Sequence, residues 1–125
     1  MGIVHAEFVL TNLFTKKSVP VRALIDTGAM DVFVTSEITQ QLGFDVTEVS
    51  RKTVTLADGR SQSAALLRPV VINFGERHSS TDVLVMGDEC VVGVLPLEAM
   101  DLVIDLQKQR LVTNPEHPNG WYCRA

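Results

Sequence analysis

The chain has 125 residues, of which 46% are hydrophobic, and its formal net charge is -4 at pH 7. This length is typical of a single domain, and the hydrophobic content argues against an intrinsically disordered chain. The acidic balance, without a basic stripe or aromatic residues interleaved with Lys and Arg, excludes nucleic acid as an expected partner.

Runs of β-branched and other apolar residues predict most of the chain as short strands. These strands are predicted at residues 3–11, 19–25, 32–34, 53–56, 63–72, 81–86, 102–106 and 110–112. Helical patterns are confined to a segment that Thr35 or Ser36 caps and that ends at Leu42, and to a segment that begins near Pro96. Short strands with a turn about every ten residues are typical of a mainly β domain that closes on itself.

Two turns between these strands carry distinctive residues. The fourth and fifth strands meet at Asp58-Gly59, which is a common hairpin turn because both residues tolerate a positive φ. Residues 75–78 predict a further turn before the strand at 81–86. The Asp-Gly hairpin is compatible with a functional flap and also with a plain surface hairpin.

The triplet Asp26-Thr27-Gly28 stands where the second predicted strand ends. Such a triplet alone is common in turns, so the residues around it have to distinguish a functional motif from a plain turn. In this frame an apolar strand, residues 21–25, delivers a carboxylate to the turn. The frame closely resembles the active-site motif of the retropepsin-like aspartic proteases.

The resemblance continues in chain order over most of the sequence, roughly from Ile3 to Val112. A flap-like hairpin follows the catalytic turn, and an apolar-apolar-Gly signature at Val91-Val92-Gly93 precedes the second helix. The resemblance implies a mainly β, small closed β-barrel-like acid protease (retropepsin) fold with one or two short helices. We expect one such domain over residues 1–125, with its core at about 3–112 and an irregular tail at 113–125.

The resemblance also assigns roles to individual residues. It makes Asp26 the catalytic residue, with Thr27 bonding across a dimer and Gly28 allowing close backbone approach as active-site support. It implies that substrate contacts come from the rest of the catalytic loop and from the flap tip. The expected substrate-binding residues are Ala29, Met30, Asp31, Ala57, Asp58, Gly59 and Arg60.

Aspartic protease chemistry needs two carboxylates. One group removes a proton from the attacking water while another protonates the leaving amine. Two aspartates about 3 Å apart share a proton, because they cannot both ionise comfortably. The sequence contains one such motif, so the second carboxylate has to come from a second chain. The expected protein is therefore a homodimeric aspartic endopeptidase that acts on peptides or proteins.

Two other interpretations stay open. A catalytically silent domain of the retropepsin fold could bind peptides or mediate assembly, since a fold does not guarantee an activity. In a third interpretation Asp26 to Gly28 is a plain turn in a small β domain with an unrelated ligand. An intact Asp-Thr-Gly triplet favours the enzyme, because a pure binding module has no use for a costly pair of facing carboxylates.

No cofactor and no metal are expected. The three histidines are scattered without Cys or carboxylate at zinc-like spacing, and Cys90 and Cys123 do not form a disulfide framework. Apolar runs are too short to span a bilayer, and the N-terminus lacks the features of a signal peptide, so no membrane contact is expected. We therefore expect a cytoplasmic protein with both thiols reduced.

One pair of positions departs from the viral members of the family. Those members commonly pair an Asp, four positions after the catalytic one, with an Arg directly after the second Gly signature. Here the two positions are Met30 and Val94. We expect that an ion pair has been exchanged for a hydrophobic contact beside the dimer interface, because one unpaired buried charge would be unfavourable. The alternative is that both are independent core residues.

Overall fold

The computed structural model describes residues 3–118 and 121, which form nine strands and two short helices. The strands are His5–Asn12 (β1), Ser18–Ile25 (β2), Val32–Val34 (β3), Ser50–Thr55 (β4), Ser61–Phe74 (β5), Arg77–Val85 (β6), Val91–Val92 (β7), Leu102–Asp105 (β8) and Arg110–Thr113 (β9). The helices are Ser36–Gln41 (α1) and Val94–Ala99 (α2). The prediction of a mainly β chain with two short helical segments is confirmed.

Seven of the strands form one sheet in the order β1-β2-β7-β3-β6-β5-β4. An additional antiparallel pairing of β1 with β5 joins six of these strands into a closed circuit, and β4 extends outward from β5. The strands β8 and β9 pair only with each other in the described part of the chain. The closed circuit gives the hydrophobic core a continuous wall of strands.

The core is built by strict alternation along β1 and β2. Phe8, Leu10, Val21 and Ala23 are buried, whereas the residues between them are exposed or half-buried. Alternation of this kind places one face of each strand inward and the other toward solvent. Each fully buried large apolar side chain contributes roughly 1.5–3 kcal/mol relative to an exposed one. This packing holds the end of β2, and hence the residue that follows it, in a fixed position.

The largest difference between the predicted and observed strand bounds is at β6, which was predicted to begin at residue 81 and begins at Arg77. The turn expected over residues 75–78 is shorter than predicted. Gly75 adopts a φ of 57°, and Arg77 already pairs with Phe74 at the start of β6. Arg77 is buried there and donates hydrogen bonds to the carbonyl oxygens of Met100 and Asp101. The second helix begins at Val94, so Pro96 lies in its first turn as predicted, and the reason for this start lies in the contacts of the turn that follows β2.

Three further expectations concern the two thiols, the C-terminal tail and membrane-spanning segments. Cys90 is a buried free thiol, and burial raises its pKa, so it stays protonated and unreactive near neutral pH. Cys123 lies outside the described residues. The expected irregular tail overlaps the last residue of β9, and its residues 119, 120 and 122–125 also lie outside the described part. No helix in residues 3–118 has the length and apolar character needed to cross a membrane.

Candidate active site

Asp26 directly follows β2, and its backbone and side chain are both held by hydrogen bonds. Its N–H donates to the carbonyl oxygen of Val92 at 3.1 Å, which extends the pairing of β2 with β7. Its carbonyl oxygen accepts from the N–H of Ala29 at 3.1 Å and closes the turn. The N–H of Gly28 donates to Asp26 Oδ1 at 2.9 Å. The carboxylate is exposed in the single chain and has a defined orientation.

The turn that follows β2, residues 26–31, carries the residue predicted to be catalytic and is called the catalytic turn for that reason; its backbone is attached to the start of α2. Carbonyl oxygens of residues 29–31 accept three hydrogen bonds from the N–H groups of residues 93–95, at distances between 2.8 and 3.0 Å. The first N–H groups of a helix have no partner within the helix, so these carbonyls satisfy them. This explains why α2 begins at Val94: the catalytic turn stabilises the helix from its first residue.

Gly93 permits this close approach. A Cβ atom at this position would lie 2.5 Å from the carbonyl oxygen of Ala29 and 2.7 Å from that of Asp31. Both contacts involve backbone atoms, which cannot move aside as a flexible side chain can. The glycine of the Val91-Val92-Gly93 signature is therefore required by the proximity of the catalytic turn.

A groove of about 900 Å³ opens beside Asp26. Its lining comes mainly from three parts of the chain: the catalytic turn with β3, called here the floor; β4 with the residues that follow it, called the first wall; and β6 with the loop into β7, called the second wall. The lining residues are Asp26, Gly28, Ala29, Met30, Asp31, Phe33, Lys52, Thr53, Val54, Thr55, Leu56, Ala57, Asp82, Leu84, Met86, Gly87, Asp88, Glu89, Val91 and Leu95.

The structure brings most of the predicted site residues to this groove. Its lining includes Asp26, Gly28, Ala29, Met30, Asp31 and Ala57. Thr27 is exposed at the turn and is not among the described residues that line the groove.

The other three predicted residues form the tip of the β4–β5 hairpin. Gly59 has a φ of 87°, and the Arg60 Nε donates to Asp58 Oδ2 at 2.6 Å. The described lining of the groove does not include Asp58, Gly59 or Arg60. The hairpin itself was predicted correctly, but substrate contact by its tip stays a prediction.

Two carboxylates of the groove carry basic partners that were not predicted. The Nζ of Lys52 on β4 lies 3.4 Å from Asp31 Oδ2 and so connects one wall to the floor. Arg68 donates from Nε and an η nitrogen to the two Asp82 oxygens at 2.8 and 3.0 Å. The hydrogen bond from Arg68 lowers the pKa of Asp82, which keeps this carboxylate ionised.

Four charged residues of the groove were not predicted as site residues: Lys52, Asp82, Asp88 and Glu89. Lys52 and Asp82 come from distant segments whose meeting depends on strand pairing, so no local pattern predicts their position. Asp88 and Glu89 had a local signal, because they lie between a predicted strand and the Val91-Val92-Gly93 signature. Because that signature is one element of the resemblance, the acidic residues just before it are candidates for the site.

The histidines are engaged at separate places. The Nε2 of His5 lies 3.1 Å from Glu89 Oε2, and the Nδ1 of His117 lies 2.6 Å from Asp101 Oδ2. His78 stacks edge-on against Trp121, with ring centroids 4.9 Å apart. Residues 3–118 and 121 contain no group of three or more His, Cys, Asp or Glu side chains arranged to hold a metal ion.

Met30 and Val94 lie on the two segments that the hydrogen bonds join, since the Val94 N–H bonds to Ala29 and the Met30 carbonyl accepts from Leu95. Contact between the two side chains stays a prediction. Met30 is 56% exposed in the single chain, so the alternative that both positions are core residues is wrong for Met30.

We predict that Met30 is buried against a partner chain, so Met30→Asp alone should destabilise the dimer by roughly 2–4 kcal/mol, and Val94→Arg in the same chain should recover part of the loss. Urea unfolding of wild type, both single variants and the double variant, at one protein concentration, measures the coupling. Strictly additive losses would show that the two positions act independently.

Known proteins resemble this chain in sequence and in fold. A family model described as "Aspartyl protease" matches residues 14–99. The structure of a retropepsin-like aspartic protease from Rickettsia conorii superposes with a TM-score of 0.59 at 24% sequence identity. That match covers 82% of this chain and 77% of the other, and it shows that the two share a fold. No curated protein matches the chain.

Proposed function

Because the chain belongs to the aspartyl protease family, whose model spans Asp26, Gly93 and the hairpin between them, we propose that it is an aspartic endopeptidase. Its active site is an Asp26 dyad formed across a homodimer. The observation that carries the proposal is the exposed carboxylate of Asp26, oriented by the N–H of Gly28 at one side of a 900 Å³ groove.

The proposed reaction uses a water molecule held between the two Asp26 carboxyl groups. The ionised group removes a proton from the water as its oxygen attacks the peptide carbonyl carbon, and the protonated group donates to the carbonyl oxygen. The resulting tetrahedral intermediate collapses when the C–N bond breaks and the nitrogen takes up a proton. Water is thereby divided between a new carboxylic acid and a new amine, with no metal or organic cofactor.

Two observations and one argument from symmetry support formation of the dyad between chains. The sequence carries a single Asp-Thr-Gly motif. Asp26 and Thr27 are both exposed in the single chain, as residues must be if they face a second copy. A two-fold axis close to the two turns would place identical carboxylates side by side, which is the geometry of an isologous dimer.

The groove suits an extended peptide. The strand β4 contributes residues 52–55 to one wall, and it is the last strand of its sheet, paired with β5 alone in the described part of the chain. The outer edge of β4 therefore has free backbone donors and acceptors that can pair with an extended substrate. Apolar side chains such as Phe33, Val54 and Leu84 offer pockets for alternate substrate residues.

The alternative function is a silent domain that binds peptides without cleaving them. The two functions share the groove and differ only in turnover. The experiment is therefore incubation of the purified protein with a random peptide library, with and without a transition-state-mimic inhibitor of aspartic proteases. We expect cleavage that the inhibitor suppresses. Peptide binding without any cleavage would support the silent domain.

Proton sharing in the dyad predicts a bell-shaped dependence of kcat/KM on pH. At low pH both carboxyl groups are protonated and no base remains, and at high pH both are ionised and no acid remains. Activity should therefore fall on both sides of an optimum. The measurement is the rate of cleavage of one peptide across pH, with circular dichroism confirming the fold at each point. A flat profile from strongly acid to strongly alkaline pH would contradict the mechanism.

A further inference from the structure

A second cleft, of about 580 Å³, is lined by residues of α2, β5 and β6 together with Asp31, and is called here the side cleft. Its volume lies in the range of ligand pockets. Asp31, Asp82 and Leu95 line both the side cleft and the groove beside Asp26. Leu95 is 47% exposed at this junction, although its side chain is apolar. Because the same residues border both spaces, a peptide that extends along the groove past Asp31 and Asp82 reaches the side cleft.

The charged side chains of the side cleft are paired within the chain. Arg68 donates two hydrogen bonds to the carboxylate of Asp82, at 2.8 and 3.0 Å, and Lys52 Nζ lies 3.4 Å from Asp31 Oδ2. The described lining of the side cleft contains no charged residue besides Asp31, Arg68 and Asp82. Since each of these charges already has a partner, the side cleft favours a neutral ligand over an ion.

Arg68 presents a flat surface to the side cleft. Its two bonds with Asp82 hold the guanidinium in one plane, and its side chain is still 63% exposed. A planar guanidinium stacks well on the face of an aromatic ring. The described lining contains no aromatic residue, and Pro69, Pro96 and Ala99 supply apolar surface beside Arg68. The side cleft therefore suits an aromatic side chain that another molecule brings.

The hydroxyl groups of the side cleft are set to accept a hydrogen bond. Ser79 Oγ donates to the carbonyl oxygen of Ser80 at 3.0 Å, and Thr81 Oγ1 donates to that of Asp82 at 3.2 Å. A hydroxyl group has a single proton, so both oxygens can act only as acceptors toward a ligand. The O–H group of a tyrosine side chain is a matching donor at the edge of an aromatic ring.

We propose that the side cleft binds a tyrosine side chain of the substrate at a position remote from the cleaved bond. The inference rests on the proposed protease function and adds a subsite to it. The ring stacks on Arg68, and the phenol O–H donates to Ser79 Oγ or Thr81 Oγ1. The two-fold symmetry of a homodimer places a second side cleft on the opposite side of the dyad, so the tyrosine can precede or follow the cleaved bond.

The test starts from one peptide that the protein cleaves. Tyrosine or leucine is placed in turn at each position from about three to six residues away from the cleaved bond, a distance that an extended chain spans at about 3.4 Å per residue. Leucine controls for burial of apolar surface. At one of these positions we expect kcat/KM for the tyrosine peptide to be roughly fivefold higher, the scale of one ring-cation contact. Binding far from the reacting bond can raise kcat/KM in this way.

Two variants connect the preference to the side cleft. Arg68→Lys keeps the positive charge beside Asp82 and removes the flat guanidinium, so the tyrosine-to-leucine ratio should fall close to one. Ala99→Gln extends a longer side chain from an exposed position of α2 into the side cleft and should have the same effect. Because the ratio compares two peptides on one protein, a general loss of activity cancels.

The matched control is Arg110→Lys, which makes the same chemical change at an exposed residue of β9, outside the lining of the groove and the side cleft. It should leave the ratio at the wild-type value. A second arm measures the Kd of hydroxyethylene peptide inhibitors that carry tyrosine or leucine at the same positions. The uncleavable group fixes the register of the peptide, so this arm reports the side cleft independently of turnover.

The two arms separate failure of the inference from failure of the proposed function. Cleavage with no tyrosine preference at any of these positions, or with a preference that Arg68→Lys or Ala99→Gln leaves intact, overturns the inference and leaves the protease function standing. Preferential binding of a tyrosine inhibitor without cleavage of any peptide supports the side cleft and refutes hydrolysis. Absence of both cleavage and binding overturns the inference together with the proposed function.

Discussion

Replacement of Asp26 by Asn is expected to lower kcat/KM for peptide cleavage by at least about a thousandfold, within the range that general acid-base catalysis contributes. An amide cannot remove the proton from water, so the dyad loses its base. The fold should persist, because Asn retains the oxygen that accepts the Gly28 N–H and the backbone bond to Val92 is unchanged. Peptide cleavage assays and thermal unfolding measure the two effects separately.

The matched control for this substitution is Asp105→Asn. Asp105 ends β8 and accepts backbone hydrogen bonds from Gln107 and Lys108, in a turn that does not contribute to the groove lining. Its substitution makes the same chemical change and should leave the cleavage rate close to that of the wild type. Substantial proteolysis by the purified Asp26→Asn protein would exclude Asp26 as the catalytic residue.

The second large effect is expected for Gly93→Ala, which should destabilise the protein by about 3 kcal/mol or more, a magnitude associated with forced rearrangement of a packed backbone. The added methyl group would overlap backbone atoms of Ala29 and Asp31. The turn and α2 would have to separate, which breaks the three hydrogen bonds between them. Urea unfolding at a fixed protein concentration measures the loss, and cleavage activity should fall with it.

Gly28→Ala provides the comparison. Neither Gly28 nor Gly93 has a positive φ, so backbone strain does not distinguish the two substitutions. A Cβ on Gly28 would meet a side-chain atom, Asp26 Oδ1, at 3.1 Å. We expect Gly28→Ala to reduce activity more than stability. A free energy of unfolding for Gly93→Ala within about 1 kcal/mol of the wild-type value would show that the turn and helix are not held as tightly as we infer.

Local patterns in the sequence correctly predicted the end of β2, the cap of α1 and the turn between β4 and β5. The strand run at 19–25 ends at the catalytic turn because its apolar alternation stops at Ile25. Thr35 caps α1 as expected, since its side chain accepts from the Ile38 N–H. The Asp58-Gly59 turn joins β4 to β5, with the positive φ at Gly59 that this turn chemistry requires. Each of these features depends on residues close together in sequence.

Features that depend on distant segments could not be predicted. β6 begins at Arg77, where a polar run suggested a turn, because β5 is 14 residues long and supplies pairing partners. The helix α2 begins at Val94 because the carbonyl groups of residues 29–31 lie against it. Lys52 and Asp82 line the groove through strand pairing over large sequence separations. Such contacts are settled by tertiary packing, which a local pattern does not report.

In the proposed enzyme, one active site takes one Asp26 from each of two chains. Mixed dimers of wild type and Asp26→Asn contain one aspartate and one amide, so they should be inactive. The catalytic activity of a mixture then follows the fraction of dimers in which both chains are wild type. This dependence differs from that of a protein in which each chain works alone.

The most direct measurement mixes the two proteins at fixed total concentration, allows the subunits to exchange fully, and records peptide cleavage against the wild-type fraction. With equal amounts of the two chains and random pairing, activity should fall to about one quarter of the undiluted wild-type value. The curve should follow the square of the wild-type fraction. A linear decline to about one half, with subunit exchange demonstrated in the same samples, would contradict a site shared by two chains.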